Sequence, residues 1–210
     1  MSAAKKERVS STRPGAFHLV GPGRLSVEEF ANWYRRESLR QWENLDIRSI
    51  AKLAEKIIEV EKQRREIFVM GNGGSAATAS HWATDLSKTA YVSGRAMIRC
   101  RSLSENIAYL TAIGNDISFD DCFSRQLENI LNPGDLVIFI SGSGNSKNLV
   151  KACQLAKEKN AQTVGILGFD GGRLKTMVDL PIIVASRQYG VIEDLHMAIG
   201  HILTFYLKQR

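Results

Sequence analysis

Four short apolar runs limit what this chain can fold into. They read EIFVM (66–70), DLVIFIS (135–141), TVGILG (163–168) and LPIIVAS (180–186), and each is bounded by Gly, Pro or Asp or by charged residues. They are rich in β-branched and aromatic residues, which favour strands. None alternates apolar with polar residues, so each strand must bury both faces, as happens in a parallel sheet with helices on either side. Helical patterns lie between them: AATASHWATDLSK, KNLVKACQLAKEKN and a short segment near 172–178. This alternation predicts an α/β fold. AMIRCRSL (96–103) is the candidate for a further strand.

Helices flank the alternating region. Ser26, followed by Glu28 and Glu29, offers a cap oxygen and first-turn acids, after which Phe30, Trp33, Tyr34 and Leu39 recur near helical spacing. A second helix carries Ile47, Ile50, Leu53, Ala54, Ile57, Ile58 and Val60 on one face. The C-terminal stretch VIEDLHMAIGHILTFYLKQR gathers Leu195, Ala198, Ile199, Ile202, Leu203 and Tyr206 in the same way.

The 210 residues, 44% hydrophobic and 24% charged, suit one sizeable domain, expected over 25–210 with its N-terminal helices included. Residues 1–24 are expected to form a flexible basic arm, with Pro14, Gly15, Gly21, Pro22 and Gly23 and a charge of +5 − 1 = +4. That leaves only +2 of the total +6 for the other 186 residues. With no recognition-helix module in view, a nucleic-acid partner is not expected. No run approaches the roughly 20 apolar residues that span a bilayer, and the N-terminus lacks the apolar core of a secretory signal. Cys100, Cys122 and Cys153 are odd in number and share no short spacing, so the expected location is the reducing cytoplasm.

Two strand-to-helix turns could hold an anion. GNGGS contains Asn72, Gly73 and Ser75, and SGSGNS contains Ser141, Gly142, Ser143 and Ser146. Glycines admit a ligand close to the backbone, helix N-termini present unpaired N–H groups, and serine hydroxyls donate to phosphate oxygens. Neither turn matches GxxxxGK[ST] or GxGxxG, which favours a small anion over a nucleotide. The alternative is a turn whose polar residues merely cap a helix. Beyond the first turn, His81 and Asp85 share a helix face as an i,i+4 pair, either a surface hydrogen bond or metal-ligating or acid–base groups. The last helix adds Glu193, Asp194, His196 and His201. At 100° per residue, Asp194 aligns with His201 within about 20° and Glu193 lies about 80° away, a weak comparison in a first turn.

The segments GNGGSAATASHWATDL, LTAIGNDISFDDCFSRQL, PGDLVIFISGSGNSKNLVKA, GILGFDGGRL and EDLHMAIGHIL together resemble the sugar-isomerase (SIS) domain proteins, and among them the phosphoheptose isomerases. The resemblance covers about residues 27–207. It implies a three-layer α/β/α sandwich with a five-stranded parallel sheet, and N-terminal helices that assemble a homotetramer with active sites between subunits. It also implies an aldose–ketose isomerase acting on sedoheptulose 7-phosphate. Phosphate would be held by Ser75, Ser141, Ser143 and Ser146 with the surrounding Asn72, Gly73 and Gly142, and sugar by Asn115 and Asp116. Zinc would lie on His81, Asp85, Glu193 and His201, with Asp85, Glu193 and His201 catalytic. The chain departs from the family in having Asp85 for glutamate, Glu193 for glutamine and Gly142 for threonine. Non-catalytic adaptors and sugar-phosphate sensors built on the same domain, and isomerases of another ketose phosphate, are the alternatives.

Overall fold

The computed structural model describes residues 23–210, so the expected arm over 1–24 lies almost wholly outside the described residues. Two helices come first, α1 (Val27–Asn44) and α2 (Ile47–Lys62). Ser26 starts α1 with a capping box: its hydroxyl accepts the Glu29 N–H at 3.3 Å, and the Glu29 carboxylate accepts the Ser26 N–H at 2.8 Å. Asp46 caps α2 through the N–H groups of Arg48 and Ser49.

The alternating region follows as β1 (Glu66–Met70), α3 (Gly74–Thr84), β2 (Arg99–Ser102), α4 (Ile107–Asp116), α5 (Ser124–Ile130), β3 (Leu136–Ser141), α6 (Lys147–Glu158), β4 (Gln162–Gly168), α7 (Leu174–Met177), β5 (Leu180–Val184) and α8 (Tyr189–Gln209). All five strands pair in parallel, in the order β2-β1-β3-β4-β5. Successive side chains along each strand serve opposite faces. Ile67, Val69, Ile138 and Ile140 join one core with Leu53, Ile57, Trp82, Leu195 and Ile199. Phe68, Met70, Val137 and Phe139 join a second with Leu127, Leu149 and Cys153. Both faces are therefore covered, as the unbroken apolar runs require.

Three local features differ from the sequence pattern. Strand β2 occupies only four residues of the expected 96–103, because this edge carries Arg99 and Arg101, which share the Glu66 carboxylate of β1. Helices α4 and α5 fill a region in which periodicity predicts no element. The pattern of α4 is masked because none of its residues is buried, and Ile107 is 71% exposed. Beyond α3 the backbone widens into a π-turn, Asp85–Thr89, closed by the Ala90 N–H donating to the Asp85 carbonyl at 2.8 Å. No described helix is long and apolar enough to cross a membrane.

His196 is fully buried on α8, inside the core. Burial disfavours its charged form and lowers its pKa from the usual 6.5 to about 4. Acid unfolding therefore has a defined component. Between pH 6.5 and 4 the unfolded chain binds this proton first, so stability should fall as pH drops through that window, by up to about 3 kcal/mol. Thermal midpoints measured from pH 7 to 4 should show this slope, and His196→Leu should flatten it.

Candidate active site

The order β2-β1-β3-β4-β5 reverses direction between β1 and β3, where the chain leaves toward opposite edges. Ligands in open α/β sheets settle at the carboxyl ends of the strands at such a switch point. The two glycine-rich turns sit there, and between them lies a cavity of about 290 Å³. Asn72, Ser75, Ser141, Gly142, Ser143 and Ser146 line it, together with Tyr189 and Glu193 at the start of α8.

Three helices begin at this cavity, α3, α6 and α8, and none has a side-chain cap. The other described helices of ten or more residues are capped by Ser26, Asp46 and Asn106. A missing cap costs about 1 kcal/mol and leaves N–H donors and a positive dipole end for something else. Ser146 occupies the cap position of α6 without bonding to that helix through its hydroxyl. By contrast Ser141 Oγ is engaged within its turn, accepting the Gly144 N–H at 2.9 Å. Gly73 opens α3 with φ 56°, a left-handed conformation that favours glycine.

The two turns are tied together by Asn148, a residue the sequence pattern does not single out. Its amide exchanges hydrogen bonds with Asn72 at 3.0 and 2.9 Å and also bonds the Cys122 thiol. Asn148 is buried, so Asn148→Ala would strand the Asn72 amide at the mouth of the cavity.

The second group of residues arises from how tightly α3 packs on α8. A side chain at Gly74 would overlap the Glu193 carboxylate, and one at Gly200 would overlap the Trp82 indole. Trp82 Nε1–H donates to the His196 carbonyl at 3.1 Å, which locks the two helices in register. Next to the Gly200–Trp82 contact in sequence, His81 meets His201: their Nε2 atoms are 3.0 Å apart. Asp85 Oδ2 lies 3.3 Å from His81 Nε2 and 3.8 Å from His201 Nε2. Asp85 stands where α3 passes into the π-turn, a distortion common at functional sites.

These three residues are the group among those described that can share a metal ion. A tetrahedral ion with bonds near 2.05 Å needs ligand atoms about 3.3 Å apart, and the observed separations bracket that value. Glu193 is not part of this group. It precedes His201 by eight residues, about 12 Å along the helix, and its carboxylate lies over Gly74 on the cavity wall. Burial and the neighbouring Asp194 hold its pKa above the usual range. Asp194, which the helical wheel aligned with His201, instead accepts the Tyr34 hydroxyl of α1 at 2.6 Å. Asn115 and Asp116, bonded to each other at 2.8 Å, stand exposed at the end of α4 and do not line the cavity. The sequence pattern does not single out Tyr189, Gly74 or Gly200 either. The available signal was a glycine inside or opening a helix, which calls for a packing reason.

Gly200→Ala tests the helix contact. In an isolated helix this change would stabilise by about 1 kcal/mol. Here the collision with Trp82 should lower the thermal midpoint by the equivalent of about 1–3 kcal/mol, and a crystal structure should show His201 displaced from His81.

Comparison with known proteins identifies the family. Residues 33–168 match the SIS domain. The phosphoheptose isomerase of Trichlorobacter lovleyi is 41% identical over 160 residues, covering 76% of this chain and 81% of that protein. That of Nitratiruptor is 43% identical over 146 residues, covering 70% and 78%. Among solved structures, the phosphoheptose isomerase of Neisseria gonorrhoeae superimposes with a TM-score of 0.81 at 28% identity, over 88% of this chain and all of the other. The chain belongs to the SIS-domain family and, within it, to the phosphoheptose isomerases.

Proposed function

We propose that this protein interconverts sedoheptulose 7-phosphate and D-glycero-D-manno-heptose 7-phosphate, an aldose–ketose isomerisation. The observation that carries the reading is one helix, α3, that opens at the serine-lined cavity and carries His81 and Asp85 further along. The uncapped starts of α3, α6 and α8 meet at the serine-lined cavity, and further along α3 His81 and Asp85 face His201 of α8. From Ser75 to His81 is six residues, about 9 Å of helix, a span comparable with an extended sugar phosphate.

The phosphate binds at the cavity, where helix N–H groups and the hydroxyls of Ser75, Ser143 and Ser146 receive it. Binding energy gathered there, remote from the reacting carbons, orients C1 and C2 at the far end. Asp85 is the carboxylate beside the imidazoles, and we assign it as the base that takes the C1 proton. Loss of that proton, with protonation of the C2 oxygen, gives an enediol. Protons then move on and off oxygen, and return of a proton to C2 with loss of one from O1 completes the aldose. No electron or group leaves the molecule. Glu193, at the phosphate end, shapes the cavity in the single chain. His81, Asp85 and His201 would hold zinc, which when bound would supply a Lewis acid for the carbonyl oxygen.

The wider expectations belong to the same reading. Exposed apolar residues on α1, α2 and α8, among them Val27, Ile47, Phe205 and Tyr206, support association into a homotetramer through these helices. The chemistry is that of a cytoplasmic enzyme of sugar phosphates.

The test is a panel of C5–C7 ketose phosphates assayed with and without chelator. The seven-carbon substrate should turn over fastest, and chelation should abolish turnover. His201→Ala should lower kcat about 10²–10⁴-fold, whereas His196→Leu should stay within about tenfold of the parent enzyme. A protein that leaves every ketose phosphate unchanged would be a binding module instead.

A further inference from the structure

Gly142 lies at the centre of the second turn, yet its backbone does not ask for glycine. Gly73 and Gly144 adopt left-handed φ values of 56° and 62°, and Gly142 does not. What it lacks is room. A Cβ at 142 would stand 2.6 Å from Tyr189 Cε1 and 3.0 Å from Cδ1, well inside van der Waals contact. Neither partner can retreat easily. The Tyr189 ring packs edge-to-face on Phe169 with centroids 5.0 Å apart at 75°, and Phe169 in turn packs on the core. Behind the turn, the Gly142 carbonyl is pressed against β4, where a Cβ at Gly168 would lie 2.7 Å from it. A rigid aromatic ring therefore occupies the volume of the side chain missing at 142, on the wall of the anion cavity.

Resting on the reading of this cavity as the phosphate end of a sugar-phosphate site, we propose that Tyr189 is its specificity-determining wall. The ring narrows the cavity to a terminal phosphate monoester. Its apolar surface packs beside the carbon that bears the ester, and a phosphate esterified twice is sterically rejected. Tyr189 and residue 142 act as one unit: the ring is tolerated only opposite glycine, and a larger residue at 142 is tolerated only without the ring.

Reciprocal rescue tests this. Binding of inorganic phosphate is measured by calorimetry, and steady-state kinetics with sedoheptulose 7-phosphate follows, for Gly142→Thr, Tyr189→Ala and the double variant. Gly142→Thr alone should weaken phosphate binding at least about tenfold, while the double variant returns to within about threefold of Tyr189→Ala. Tyr189→Ala alone should raise KM about tenfold with kcat changed less than about threefold, the signature of lost binding rather than lost chemistry. A general loss of folding in Gly142→Thr would not be reversed by removing a second side chain, so the rescue separates steric coupling from damage. The proposal is overturned if the two substitutions act independently on phosphate affinity, or if Tyr189→Ala leaves both affinity and KM unchanged. Rescue seen with inorganic phosphate stands even if no ketose phosphate turns over. Turnover without rescue removes Tyr189 and leaves the isomerase reading intact.

Discussion

The close contact between α3 and α8 governs the rest of the site. Gly200 on α8 removes a side chain that would meet the Trp82 indole of α3, and Gly74 on α3 leaves room for the Glu193 carboxylate. A glycine within a helix costs about 1 kcal/mol of intrinsic stability, and here the compensation is the packing of Trp82 and its hydrogen bond across the seam. The seam sets the register in which His81 and Asp85 from one helix face His201 from the other. It also puts Glu193 over the first turn of α3. Widen the seam and the three-residue cluster disperses, though the sheet beneath could still form.

The sheet contributes a different constraint. Its order turns at β1 and β3, so their two loops are neighbours and the helices they launch diverge to either side. Stability alone would favour capped helices, and α1, α2 and α4 are capped. The three that open on the cavity forgo caps, together about 3 kcal/mol at typical values, and keep their donors for a ligand. Asn148 then holds the two loops at a fixed spacing from inside. The cavity wall thus combines backbone placed by the fold with serine hydroxyls, and no lysine or arginine lines it.

Much of the architecture was legible in the sequence because buried parallel strands have an unmistakable texture. EIFVM and DLVIFIS show apolar side chains on both faces, and both became central strands. The edge strand β2 was marginal for the same reason in reverse, since its arginines face solvent and pair with Glu66. Helix α4 left no periodic trace because it buries no residue. The turns and the His81–Asp85 pair could be picked out locally, by glycine content and by i,i+4 spacing. The partition of the last helix could not. A helical wheel set Asp194 near His201, but Tyr34 from a helix some 160 positions away takes Asp194, and the seam with α3 sends Glu193 to the anion end. The need for glycine at 142 was equally hidden, because it lies in the ring of Tyr189 rather than in the turn itself.

The central claim is that one ligand is held at two places, phosphate at the serine-lined turns and reacting carbons at the imidazoles. Diffraction from crystals grown with zinc and soaked with sedoheptulose 7-phosphate, recorded at the zinc edge, tests it directly. The account predicts an anomalous peak about 2.0–2.2 Å from His81 Nε2, His201 Nε2 and an Asp85 oxygen. It also predicts the phosphate among Ser75, Ser143 and Ser146, with C1 and C2 of the same molecule at the metal. Phosphate bound elsewhere, or a metal peak away from these three residues, would contradict it.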